Sequence, residues 1–126
     1  ALAEIVDLVP DHLLIEPDER NDNLYLLLEG AFKVYLPEGP GRKAGVTLGH
    51  RGPGDLLGEY SFVDAFRPTA RVTASTPGRV LRIPHGALRT QLEADVETSA
   101  VVYRNILTYL VNRLRAQDEE IDSLMF

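Results

Sequence analysis

Glycine and proline stop almost completely two thirds of the way along this chain: after Pro84 only Gly86 remains. Before that point the apolar runs are short, and a turn signal recurs every ten residues or so. LLIEP at 13–17 leads into the polar turn DERNDN at 18–23, and LYLLLEGAFKVYLP at 24–37 is interrupted by Gly30, read as a bend or hairpin corner. EGPGRKAG at 38–45 reads as a mobile hairpin loop, GPGD at 52–55 as a turn between two apolar runs, and RVTASTPGRVLRI at 71–83 as two strands about Pro77 and Gly78. Strands this short predict an antiparallel roll or barrel of about eight strands and not a parallel α/β sheet. Its expected core is Leu26, Leu28, Val34, Leu48, Leu57, Phe62, Val72, Val80 and Leu81. At the start, Leu2, Ile5, Val6 and Val9 fall at helical spacing ahead of Pro10, which predicts a short N-terminal helix.

After Pro84 the apolar residues move to helical spacing, first in ALRTQLEADV at 87–96 and then in a long run from about Val96 to the end. Within that run Tyr103, Leu107, Leu110, Leu114, Gln117, Ile121 and Leu124 are separated by alternating steps of four and three, the heptad seam of a coiled coil. Gln117 is the one polar residue on the seam, and an interior polar pair favours two aligned strands. A parallel homodimer through residues 103–124 is therefore expected, against the alternative of one more helix packed on its own domain. The chain divides, on this reading, into a roll with flanking short helices over 1–94 and a long helix for dimerisation or linkage over 95–126.

Composition removes several function classes. The net charge of −6, with Lys and Arg mixed among Asp and Glu, leaves no basic stripe, so direct nucleic-acid binding is not expected. The absence of cysteine excludes disulfides, thiolate metal sites and a cysteine nucleophile. No apolar run approaches the roughly 20 residues of a membrane span, and the first residues lack a signal peptide's pattern; a cytoplasmic protein is expected. His12, His50 and His85 are isolated, with no His-x-His pair, and are expected at the surface or in loops without binding metal. No serine elbow or Walker-type loop occurs, so neither an enzyme nor a cofactor is expected. The chain opens without Met and stops within a helical pattern, as a piece of something longer would.

The stretch most informative about chemistry is GEYSFVDAFRPTARVTA at 58–74. A short helical turn starting after Gly58 would point free backbone N–H groups at an anion, and Gly58 would allow close backbone approach. Glu59 accepts hydrogen bonds and suits a hydroxyl. Both also have plainer readings, Gly58 as a turn residue and Glu59 as a helix cap. An arginine should complete an anion site, since its planar fork pairs with phosphate.

With the preceding GPGD and NLYLLLEGAFKVYL, this stretch resembles the phosphate-binding cassette of the cyclic-nucleotide-binding domains, the family of the catabolite activator protein, the kinase regulatory subunits and the nucleotide-gated channels. The resemblance covers nearly the whole chain and implies an antiparallel, double-stranded β-roll of jelly-roll, cupin-like outline, mainly β, with C-terminal helices. It implies ligand contacts from Gly58, Glu59 (to a ribose hydroxyl), Tyr60, Ser61, Arg67, Thr69, Ala70 and Arg71, and a hinge near residues 93–96. The family has Pro then Arg where this chain has Arg67 then Pro68, so the position that should hold the phosphate carries no charge and no donor. Arg67 and Arg71 are the nearest cations, but one step in extended chain turns a side chain to the opposite face.

Two functions follow. One is a regulatory domain that senses a small anion, with cyclic AMP and cyclic GMP bound weakly or not at all, and passes the signal to the pose of the long helix. The other is an interaction module that has lost its nucleotide and dimerises an output domain; EPDERNDNLYLLLEG and RPTARVTA look similar to sensory domains ahead of bacterial diguanylate cyclases.

Overall fold

Two tight corners set the architecture. Strand β3 (Asn23–Glu29) and strand β4 (Phe32–Leu36) are consecutive but lie in different sheets, and so do β7 (Arg71–Ala74) and β8 (Gly78–Pro84). The computed structural model describes residues 3–64 and 67–125, without the side chains of 64, 117 and 120–125. It divides into two compact units, Ala1–Leu88 and Arg89–Phe126.

The first unit is the roll. Its remaining strands are β1 (Glu4–Leu8), β2 (Leu13–Ile15), β5 (Val46–Arg51) and β6 (Leu56–Leu57), with a short helix α1 (Glu59–Asp64) before β7. One sheet runs β1-β8-β3-β6 and the other β2-β7-β4-β5, all pairs antiparallel. Leu8, Ile15, Tyr25, Leu27, Phe32, Val34, Leu57, Val72, Ala74 and Val80 form the core between them. The expected mainly-β roll is present.

At the corners the chain passes itself at van der Waals distance. Gly30 sits at φ +94°, and a Cβ there would stand 2.7 Å from the Pro77 carbonyl oxygen and 2.8 Å from Gly78 Cα. A Cβ on Gly78 would in turn meet the Glu29 carbonyl at 2.9 Å and the Phe32 ring at 3.3 Å. Ala31 N–H donates to Thr76 Oγ1 at 3.0 Å, and Ser75 N–H to the Ala31 carbonyl at 2.8 Å. The corner predicted at Gly30 is thus bonded to the one predicted at Pro77 and Gly78.

Three sequence expectations are corrected. Residues 4–8 form a strand and not part of a helix. β1 pairs with β8, Val6 and Leu8 turn toward the core, and Glu4 and Asp7 stand opposite Arg82 and Arg79. Both opposed pairs are ion pairs, Asp7 with Arg79 at 2.8 Å, and Arg79 also reaches Glu29 at 3.6 Å. Nine residues are too few for a stable isolated helix, so cross-strand pairing decides the conformation.

The inward residues of β3 are Tyr25 and Leu27, not Leu26 and Leu28; the run LYLLL carries no polar alternation to reveal its face. Leu81 is likewise only half-buried beside buried Val80. Leu48 is exposed, because the register of β5 on β4 shifts between Val34 and Tyr35: Gly49 pairs with Val34 and Thr47 with Tyr35, leaving Leu48 unpaired.

The helical part begins with α2 (His85–Ala94), and after Asp95 comes α3 (Val96–Met125), 30 residues and so about 45 Å long. Asp95 caps α3: its carboxylate accepts from Thr98 N–H at 3.1 Å and Thr98 Oγ1 at 2.7 Å, which holds its pKa below the usual carboxylate range. The break between α2 and α3 falls at Asp95. Of the seam, Tyr103, Leu107 and Leu114 are exposed and Leu110 is half-buried; the side chains of Gln117, Ile121 and Leu124 lie outside the described residues.

The corner contact gives a stability test. Gly30→Ala adds a Cβ at positive φ against backbone that cannot move aside, and is expected to cost about 2–4 kcal/mol in urea unfolding. Gly86→Ala, whose Cβ meets nothing within 4 Å, should leave stability unchanged or slightly raised.

Candidate functional site

The cassette is positioned by a turn tied to β3. At the end of β5 the GPGD turn closes through Gly52 N–H to Asp55 Oδ2 at 2.8 Å, and Asp55 N–H donates to the Gly52 carbonyl at 3.1 Å. Gly54 N–H bonds the Leu27 carbonyl and Leu27 N–H the Asp55 carbonyl, at 2.8 and 3.0 Å. β6 then pairs with β3, Leu57 opposite Tyr25, and the chain turns into α1 at Gly58.

Gly58 has a steric role independent of any ligand. It lies at φ +84°, and a Cβ would stand 2.3 Å from the Asn23 carbonyl oxygen and 2.7 Å from Asn21 Nδ2. Asn21 Nδ2 itself donates to that carbonyl at 2.8 Å, so the polar turn at 18–23 is pressed onto the cassette. The plainer reading of Gly58, a residue required by the turn, is sufficient.

Within α1 the burial alternates by helical face. Glu59, Ser61 and Phe62 are buried, while Tyr60 and Val63 are exposed. Glu59 is only 4% exposed, unusual for a carboxylate. Burial raises its pKa, opposed by its own backbone amide and by the positive charge of Arg51, and reinforced by Asp55. The Phe62 ring lies 5.3 Å from that of His85, tilted by 54°. His85 is buried, contrary to the surface or loop position expected for it, and its backbone N–H donates to the Asp22 carbonyl at 2.8 Å. His12 and His50 are exposed as expected.

The second half of the cassette does not converge on Glu59. Arg67 is exposed and donates through Nη1 to the Asp18 carbonyl at 2.7 Å, while Asp18 N–H donates to the Pro68 carbonyl at 3.0 Å. Thr69 is exposed, and Ala70 packs against the core cluster. Arg71 stands opposite Tyr35, on the face away from buried Val72 and Ala74. There its Nε reaches both carboxylate oxygens of Glu16 at 3.0 Å, Nη2 bonds Oε1, and the guanidinium lies 5.7 Å from the Tyr35 ring centre. These partners raise the Arg71 pKa, Glu16 most. The structure thus brings Gly58, Glu59 and Ser61 together on one side of α1 and leaves Tyr60, Arg67 and Arg71 turned elsewhere.

Arg51 was not among the residues expected from sequence. It is opposite fully buried Phe32 in the β4–β5 register, so its side chain starts on the inner face of the sheet. The only signal in the sequence was its alternation with Gly49, invisible until β5 is set against β4. Among the described residues no group of three or more His, Asp or Glu could hold a metal ion, and no helix is long and apolar enough to cross a membrane.

The family model for the cyclic nucleotide-binding domain matches residues 5–95. The cyclic AMP receptor protein of Thermus thermophilus is 30% identical over 103 residues, which are 82% of this chain and 45% of that protein. Glutaminase 2 of Bradyrhizobium diazoefficiens is 30% identical over 103 residues, 82% of this chain and 15% of that protein. The chain therefore spans less than half the length of these relatives. A solved cyclic nucleotide-binding domain from Methylobacillus flagellatus shares the fold with a TM-score of 0.83, covering 90% of this chain and 63% of that one at 24% identity.

Glu59 supplies a pH test. A carboxyl whose pKa is raised by folding favours the folded state while protonated, and that contribution is lost as pH rises through the folded pKa. Glu59→Gln is expected to melt at a higher temperature than the parent at about pH 7.5, with the difference vanishing below about pH 4. Thermal unfolding at a series of pH values reads this; a parent as stable as the variant throughout would show that Glu59 carries no burial penalty.

Proposed function

Because the chain belongs to the cyclic nucleotide-binding domain family, we propose that it is a regulatory, non-enzymatic sensing module of a cytoplasmic signalling protein. It binds a small anion of nucleotide type at the cassette and passes occupancy to the pose of α3. The observation that carries this reading is Glu59: a carboxylate taken almost wholly out of water, at the position where the family resemblance implies a hydrogen bond to a ribose hydroxyl. Its own backbone amide and the charge of Arg51 offset only part of the burial penalty, and a carboxylate kept buried at that cost supports a site kept for binding. Coupling requires that the ligand bind two arrangements with different affinity, and the capped break at Asp95 is the joint at which the helices can differ.

A second reading, a dimerising module that binds no nucleotide ahead of an output domain such as a diguanylate cyclase, is favoured by Pro68 and by the engagement of Arg71 with Glu16. The two are separated by ligand titration. Loss of one partner from a buried charged contact costs about 2–5 kcal/mol, roughly 30-fold to several thousand-fold in affinity. Cyclic AMP and cyclic GMP are thus expected to bind weakly, and the exchange Arg67→Pro with Pro68→Arg to tighten binding, measured by calorimetry. Low-micromolar binding by the parent would refute the argument from the missing arginine. No binding by either protein would favour the second reading.

Both readings include a homodimer through residues 103–124. The exposure of Tyr103, Leu107 and Leu114 along one heptad seam supports it. Each leucine buried at an interface contributes about 1.5–3 kcal/mol, so the double substitution Leu110→Asp with Leu114→Asp is expected to halve the mass seen in sedimentation. An unchanged mass would place the interface elsewhere.

A further inference from the structure

We infer that Arg51 supplies the cationic contact to the ligand's anionic group that the cassette itself no longer provides, making it a specificity-determining residue of the site. The inference rests on the reading that this site takes a nucleotide-type anion, and deepens it.

Three observations carry it. The first is direction. Arg51 pairs with Phe32 and Gly49 with Val34, and Phe32 and Val34 are buried core residues, so Arg51 and Gly49 share the inner face while Lys33 and His50 share the outer one. The second is room. A Cβ on Gly49 would stand 3.0 Å from Arg51 Nη1, so the guanidinium folds back over the one residue type that leaves space for it. The third is an unmet donor. Nη1 donates to the His50 carbonyl at 2.8 Å, but Nε is buried and has no hydrogen-bond partner, and Arg51 forms no salt bridge among the described residues.

The other two candidate arginines are committed, Arg67 to a backbone carbonyl and Arg71 to Glu16 on the outer face. Arg51 instead carries a guanidinium on the inner face, close enough for its charge to be felt at Glu59. The two residues are complementary in what they recognise. Arg51 has only donors and pairs with phosphate oxygens, whereas an ionised Glu59 has only acceptors and pairs with a hydroxyl. A ligand that satisfies both carries a phosphate beside a free hydroxyl, as a cyclic ribonucleotide does. The weak affinity expected from Pro68 is then the affinity that Arg51 and Glu59 leave in place.

The test is a titration of the full chain with cyclic AMP to about 5 mM, followed by amide chemical shifts in NMR. The parent is expected to show saturable shifts in residues 49–51 and 58–61. Arg51→Met, which fits the apolar side of the sheet, should weaken binding at least about 30-fold. Arg51→Lys, which keeps the charge but loses the fork, should lie between. Lys43→Gln, on an exposed side chain in the loop at 38–45, should bind as the parent does. If the parent binds and Arg51→Met binds within about twofold of it, Arg51 plays no part and the nucleotide reading stands without it. If the parent shows no saturable shift, the nucleotide reading fails and this inference fails with it. Should Arg51→Met not fold, Arg51→Gln takes its place: binding within about twofold of the parent overturns the inference, and weakening of at least about 30-fold supports it.

Discussion

The close passage of the two corners at Gly30 and Gly78 is the contact on which the roll depends. Each corner carries the chain from one sheet to the other, and the two meet with no side chain between them, over the ring of Phe32. A methyl group on either would force the sheets apart by pushing on backbone. The hydrogen bonds from Ala31 and Ser75 then fix the register of β4 on β7 and of β3 on β8 together. With both registers set, the inward residues of four strands are set as well, and the core follows from them.

Register also decides the chemistry of the site, because parity sends each arginine to one face of its strand. Arg71 shares a face with Tyr35 and Thr73 and meets Glu16 there; Arg51 shares a face with Phe32. The pair Glu16 and Arg71 ties the segment after β2 to β7, and the bond from Arg67 to the Asp18 carbonyl extends that tie toward the cassette. The two arginines nearest in sequence to the missing cassette arginine thus hold Glu16 and Asp18 against β7 and its approach. That same turn crowds Gly58 through Asn21 and Asn23.

Much of the fold was legible because it rests on local chemistry. The corners announce themselves by Gly30 and by Pro77-Gly78, the GPGD turn by its aspartate, and the long helix by forty residues free of proline. The N-terminal strand was not legible: Ile5, Val6 and Val9 satisfy helical spacing, and what makes 4–8 a strand is the arginine pattern of β8, more than seventy residues away. The face of LYLLL was hidden for a different reason, since an unbroken apolar run has no phase. In the site, Gly58 and Glu59 were readable as a motif, while Arg51 lies outside the motif and gains its meaning only from the partner strand. A shift of register between Val34 and Tyr35 put Leu48 out of the core, and no sequence pattern marks it.

That residues 4–8 are a strand has a bearing on how the domain can be cut. β8 is bonded on one side to β3 and on the other to β1. A fragment begun after Leu8 would leave Gly78–Arg82, five residues of β8, without the strand they pair with. Such an open sheet margin recruits another chain in place of the missing strand. Glu4 and Asp7 are lost with the trimmed residues, so Arg82 loses its ion pair while Arg79 keeps Glu29. The N-terminal pentapeptide is itself the edge strand of its sheet, so trimming it moves that edge from β1, which carries Glu4 and Asp7, to β8.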